Sequence, residues 1–225
     1  MTDRYRSVDD LPETLPMFPL RGAILLPRAS LTLNVFEPRY LALVDEALAQ
    51  ERLIGVVQPG PEAGEGESPA GKRFSLRRVG CAGRISAFTE HDDGRVVVVL
   101  AGVARFRLGA DVATDAPFRT SEVNFAPYAA DFISSHGEED VDRPKLIATL
   151  RSYLVANNLN ADWDRINSAN TERLVNTLAI LSPYGPEEKQ ALLEAADLRA
   201  RAEALVALAE MELAARDDDS GTTIQ

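Results

Sequence analysis

The 225-residue chain is long enough for one large or two small domains, and its 45% hydrophobic residues supply a sizeable core. A net charge of −11 repels phosphate backbones and anionic lipid, which argues against nucleic acid and membrane as partners. One cysteine, Cys81, rules out an internal disulfide framework and fits a reducing cytoplasm, the expected location.

Residues 1–14 show no periodicity and read as a flexible arm; their polar start, MTDRYRSVDD, is unlike a secretory signal. Met17 to Leu20 is a short apolar run that ends at Arg21-Gly22. Leu31, Leu33 and Val35 then alternate with Thr32 and Asn34, the period of a half-buried strand. Pro38 breaks that pattern and suits the first turn of a helix, where its fixed φ helps and its missing N–H costs nothing. Tyr40, Leu41, Val44, Ala47 and Leu48 follow at helical spacing, with Asp45, Glu46 and Gln50 on the other face. The stretch 17–48 therefore reads as strand, Pro-bounded loop, strand, sharp corner, helix.

Leu53, Ile54, Val56 and Val57 form a buried strand closed by Gln58-Pro59-Gly60. Residues 59–71 are a Pro/Gly/Glu loop with nothing to bury. Within it, GESPAGK (Gly66 to Lys72) fits the first part of a phosphate-binding loop. Arg73 replaces the Ser/Thr that such a loop needs, Pro69 deletes an amide, and a strand pattern follows instead of a helix. Glu62, Glu65 and Glu67 would also repel a nucleotide, so a solvated loop is the expectation. The basic run Lys72, Arg73, Arg77 and Arg78 reads as solvated charge.

From Phe74 to Phe88, Val79, Cys81 and Ile85 alternate against Arg78, Gly80 and Arg84, and Gly83 suggests a bulge. His91-Asp92-Asp93-Gly94 is a turn, since an Asp-Gly pair accepts positive φ. Val96 to Leu100 is apolar on both faces and so central; Ala101-Gly102 interrupts it, and a further strand continues from Val103. The last strand spans Glu122 to Pro127. Six or seven short strands with one helix among them predict a closed or half-closed β-barrel over residues 15–130, which hides their edges.

Residues 131–142 are acidic and aperiodic, an expected linker, and 143–215 are helical. Pro144 opens one helix with Leu146, Ile147, Leu150 and Leu154 on a face. A second, near Asn170 to Leu181, aligns Leu174, Leu178 and Leu181 and stops at Ser182-Pro183. Pro186 starts a third, with Glu187 and Glu188 at the positive end of its dipole. Asp197 caps a fourth that runs to about Arg216, with Leu198, Ala202, Leu205 and Leu208 as its buried stripe. Residues 216–225 read as a disordered tail.

Two strings carry a family resemblance. FPLRGAILLPRASLTLNVFEPRYLALVDEAL (Phe18 to Leu48) resembles the start of the N-terminal, substrate-binding domain of the ATP-dependent Lon proteases, in the bacterial stand-alone form with a FEPRY corner. EEKQALLEAADLRARAEAL (Glu187 to Leu205) resembles the helical segment that follows the β domain there. The resemblance covers residues 14–214. It implies an α+β fold: a PUA-like β pseudobarrel with one helix between strands, followed by a C-terminal α-helical bundle. It also implies a non-catalytic module that captures exposed segments of unfolded or partner polypeptides, as a monomer or weak homodimer. Neither the ATPase nor the Ser/Lys protease motif of Lon occurs in this sequence.

No catalytic, metal or cofactor residues are expected. The two histidines, His91 and His136, sit in a turn and a linker, and no CxxC or HExxH spacing exists. Ser134 and Ser135 adjoin His136, but sequence neighbours do not make a nucleophile and base, and no GxSxG elbow is present. Cys81 reads as a small core residue. The candidates for protein contact are Phe36, Arg39, Tyr40 and Trp163. Phe36 and Tyr40 would line a groove with Arg39 on client carbonyls; alternatively Phe36 plugs the barrel, Glu37 pairs with Arg39, and Tyr40 anchors the helix. Residue type favours the packing role, and likewise for Trp163 between helices. Two other functions stay open: a small-molecule-binding protein or hydrolase using the barrel mouth, and an RNA binder by fold analogy, which the net charge opposes.

Overall fold

The computed structural model describes residues 4–61 and 74–221. The GESPAGK loop, with Lys72 and Arg73, lies outside the described residues. Among the described residues there are six strands: β1 (Thr14–Pro19), β2 (Ser30–Val35), β3 (Leu53–Pro59), β4 (Leu76–Glu90), β5 (Val96–Val112) and β6 (Arg119–Asn124). One helix, α1 (Pro38–Ala49), falls between β2 and β3. The sheet order is β2-β5-β4-β3-β1-β6, and β6 pairs again with β5. Five strands thus close a ring in which every neighbour is antiparallel except β1 and β3. Closure removes most of the edges that short strands expose. β2 stays outside the ring, paired to the first half of β5.

The strand signals at Ala101-Gly102 resolve differently from the expectation. The chain does not break there: β5 is one strand of 17 residues. Glycine serves a different need, because a Cβ on Gly102 would stand 2.0 Å from the Leu26 carbonyl oxygen. The loop carrying Ile24, Leu25 and Leu26, all at most 1% exposed, crosses β5 at that point. The predicted bulge does occur between Ala82 and Gly83. β6 begins earlier and ends earlier than its apolar pattern suggests, and Phe125 is buried at the head of a 3-10 segment, Ala126–Phe132.

Five helices follow: α2 (Arg143–Ala156), α3 (Trp163–Ser168), α4 (Thr171–Leu181), α5 (Pro186–Glu194) and α6 (Leu198–Gly221). Their starts are set by side chains that accept from otherwise unpaired amides. Asp142 accepts from Lys145 N–H, Asp162 from Arg165 N–H and Asn170 from Arg173 N–H, each at 3.0 Å. Asp197 accepts from Ala200 N–H at 2.8 Å, as its sequence position suggests. Pro186 opens α5 as expected. α6 runs on to Gly221, beyond the Arg216 at which the pattern ends it. Leu181, predicted on a buried stripe, is 73% exposed, because it is the last residue of α4.

One apolar cluster spans barrel and helices: Phe18, Leu25, Leu43, Cys81 and Leu100 join Leu146, Val175, Leu193, Leu198 and Leu205. A second gathers Leu15, Met17, Val57, Ala104 and Phe106 with Tyr5 and Leu11. The stretch read as a flexible arm is therefore anchored by two buried side chains. The stretch read as a linker is likewise tied down, with Asp131 and Val141 both buried. Asp131 accepts from Arg105 Nη2 at 2.9 Å and Nε at 3.0 Å.

Candidate functional site

The corner between β2 and α1 brings three of the four candidate residues together. Pro38 occupies the first turn of α1, and Glu37 precedes it with extended backbone. β2 ends at Val35 and α1 starts at Pro38, which leaves Phe36 outside both elements. Phe36 is 64% exposed, so it does not plug the barrel. Glu37 and Arg39 do pair: the carboxylate accepts from Arg39 Nη2 at 2.7 Å and Nε at 3.0 Å. The same guanidinium lies 4.6 Å from the centre of the Tyr40 ring. Tyr40 is buried and stacks on Phe18 at 4.3 Å, with the rings 18° from parallel. Tyr40 anchors α1, then, and Arg39 braces the corner. Phe36 is the member whose apolar surface faces outward.

Trp163 stands elsewhere, in the first turn of α3, half-buried. The Arg151 guanidinium covers its ring at 4.0 Å, a packing contact of the cation–π kind. Phe88 is 44% exposed near the far end of β4, level with Leu33 and Val98 across the sheet.

Several charged side chains are buried, and each has a structural partner. Arg105, whose side chain is 5% exposed, pairs with Asp131 and also donates to the Leu193 and Ala195 carbonyls. Arg28 pairs with Glu172 and donates to the Asp131 carbonyl at 2.6 Å, so it ties the loop before β2 to α4. Asn176 donates to the Pro27 carbonyl at 3.0 Å, and Gln58 donates to Gln190 at 3.1 Å. Arg77, read as solvated charge, pairs with Glu187 at the start of α5, while Arg78 is exposed. None of these pairs left a sequence signal, since partners stand more than a hundred residues apart in most of them.

Titration follows burial. The Cys81 thiol is fully buried and its pKa is pushed far up by desolvation, with the Asp131 charge adding to it, so it carries no thiolate. Lys189 donates to the Ala179 carbonyl at 2.8 Å near the end of α4, and burial draws its pKa down to about 8. Arg201 is lowered to about 10 by burial and by the like charge of Arg105. Among the described residues no three His, Cys, Asp or Glu side chains gather as a metal set, and no helix is long and apolar enough to cross a membrane.

Comparison with known proteins places this geometry. The family described as the ATP-dependent protease La (LON) substrate-binding domain matches residues 14–210. A Lon protease of Desulfosudis oleivorans is 26% identical over 204 residues, covering 87% of this chain and 23% of that protein. Lon protease 2 of Myxococcus xanthus is 29% identical over 202 residues, covering 86% of this chain and 23% of that protein. The chain thus spans less than a quarter of the length of either relative. A Lon N-terminal domain protein from Xanthomonas campestris shares the fold, with a TM-score of 0.59 and 24% identity over 86% of this chain and 97% of that one. So does the N-terminal domain of a Mycobacterium avium complex Lon protease, with a TM-score of 0.65 and 18% identity over 88% and 98%.

Proposed function

This chain belongs to the family of ATP-dependent protease La (LON) substrate-binding domains, and from that premise we propose that it is a non-catalytic polypeptide-binding module. It captures exposed apolar segments of client or partner proteins at the β2–α1 corner. The observation that carries the reading is Phe36, a large apolar side chain left 64% exposed at the corner where Glu37 pairs with Arg39 and Tyr40 is buried against Phe18. A side chain of that kind, set on a rigid strand end, is suited to serve as an apolar anchor. The net charge of −11 keeps a bound complex soluble and disfavours nucleic acid.

The test is an equilibrium titration with fluorescein-labelled lactalbumin, folded in one arm and reduced and carboxymethylated in the other. Binding of the unfolded form alone, weakened little by added salt and reduced by Phe36→Ala, is the expected result. Equal affinity for both forms, or no affinity for either, contradicts it. An affinity that collapses with salt points instead to charge-driven binding.

A further inference from the structure

β2 stands last in the sheet, and β5 is its one strand partner among the described residues. The Gly102 N–H donates to the Ala29 carbonyl at 2.8 Å and the Gly102 carbonyl accepts from Arg28 N–H at 2.9 Å, so a bulge at 28–29 precedes β2 and the Ala29 carbonyl faces β5. Antiparallel ladders alternate bonded and non-bonded pairs, and the register runs unbroken from Ser30↔Ala101 to Val35↔Val96. Leu31, Leu33 and Val35 therefore bond to β5, while Ser30, Thr32 and Asn34 aim their N–H and C=O groups away from it. At about 3.4 Å per residue the edge they form is roughly 17–20 Å long. Natural edges are usually guarded by lysine, proline, an inward charge or a bulge. The sequence of β2, SLTLNV, has none of these.

From Thr32 onward the side chains next to the edge are uncharged as well. Across the outer face, Ser30 is level with Ala101 and Arg84, Thr32 with Val99 and Ala87, and Asn34 with Val97 and Thr89. Val97 and Val99 are half-buried, and Thr32, Asn34, Ala87 and Thr89 are exposed. Phe36 continues the same strand end. An uncharged strip of this kind, on a protein of net charge −11, fits an extended and uncharged apolar segment. A second copy of the chain would bring a second charge of −11 against the first, which opposes edge-to-edge pairing.

We propose that the open edge of β2 takes an extended segment of a non-native client chain as an added strand. The client's backbone bonds to Ser30, Thr32 and Asn34, and one of its apolar side chains rests on Phe36. Main-chain bonds of this sort give affinity with little demand on sequence, and the alternate side chains set preference. The proposal rests on the polypeptide-binding reading above and specifies how the chain is held.

The test uses the full chain, unfolded labelled lactalbumin, and a short Val/Thr peptide prepared with and without N-methyl groups on every amide, so that neither of its edges can donate. Thr32→Pro removes an outward amide and keeps the bonds to β5, since proline is tolerated where its missing N–H faces solvent. Met211→Ala, at an exposed position of α6 outside the edge, is the control. The expected result is about tenfold weaker binding by Thr32→Pro, the cost of one or two hydrogen bonds, and wild-type binding by Met211→Ala. Methylation of the peptide abolishes its binding in the same way and needs no variant to fold. If the wild type binds while Thr32→Pro or the methylated peptide binds equally well, the edge is not the site and the wider reading survives. If the wild type binds neither probe, both fall. A wild-type dimer that Thr32→Pro converts to monomer assigns the edge to a second copy and overturns the proposal.

Discussion

Arg105 occupies a position in β5 where its neighbours Ala104 and Phe106 are fully buried, yet it is only 4% exposed itself. A buried guanidinium is tolerable because Asp131 and two carbonyls take up its donors. Removing the partner strands the charge, so Asp131→Ala is expected to lose about 3–5 kcal/mol in urea unfolding. Phe36→Ala offers the contrast: an exposed side chain should cost no more than about 0.5 kcal/mol of stability, while it weakens client binding. Lys189 gives a pH signature. Its folded pKa, drawn down to about 8, lies below the 10.5 of the unfolded chain. Between those values the unfolded chain holds the extra proton, so stability rises with pH. The wild type is expected to gain about 2–3 kcal/mol relative to Lys189→Met between pH 8 and 10. Urea midpoints at several pH values check it. At this scale the sequence showed the Glu37–Arg39 pair, since those partners adjoin, and the anchoring of Tyr40, since its helical spacing puts it on the apolar face of α1. It misplaced Phe36, because apolar character alone does not say which way a corner residue turns. The Arg105–Asp131 pair was not legible, because nothing in a local pattern links a strand position to a residue read as linker.

The elements followed from local chemistry wherever one residue type decides. Pro38 and Pro186 start helices, Asp197 caps α6, and Gly94, at φ 81°, completes the predicted turn. Where the reading failed, tertiary contact was the deciding force. Ala101-Gly102 looked like a break, but the glycine admits the Leu26 backbone and β5 runs through. The parity of β2, set by the Gly102–Ala29 bond and the register with β5, is measurable. Amides of Leu31, Leu33 and Val35 should exchange slowly with deuterium, and those of Thr32 and Asn34 quickly. On adding unfolded lactalbumin the Thr32 and Asn34 amides should become protected. Equal exchange across all five positions contradicts the alternation.

The molecule as a whole divides by composition into a β-rich front and a helical back, and both halves were visible as periodicity two and periodicity 3.6. What composition hides is that one apolar cluster belongs to both. Arg28, Gln58 and Arg105 reinforce it by reaching from the barrel to α4 and α5 or their ends. Barrel and helices are therefore expected to unfold in one transition. Far-ultraviolet circular dichroism and the fluorescence of Trp163, which reports on α3, should give coincident midpoints. A fluorescence midpoint well below the dichroism midpoint would show the helices releasing first.

The most direct measurement of capture at the corner is photo-crosslinking from a probe placed at position 36, with position 163 as comparison. Polypeptide crosslinked from position 36, concentrated in unfolded or extended segments, is the expected product. Crosslinks only from position 163, or a defined metabolite or RNA held at position 36, would contradict it.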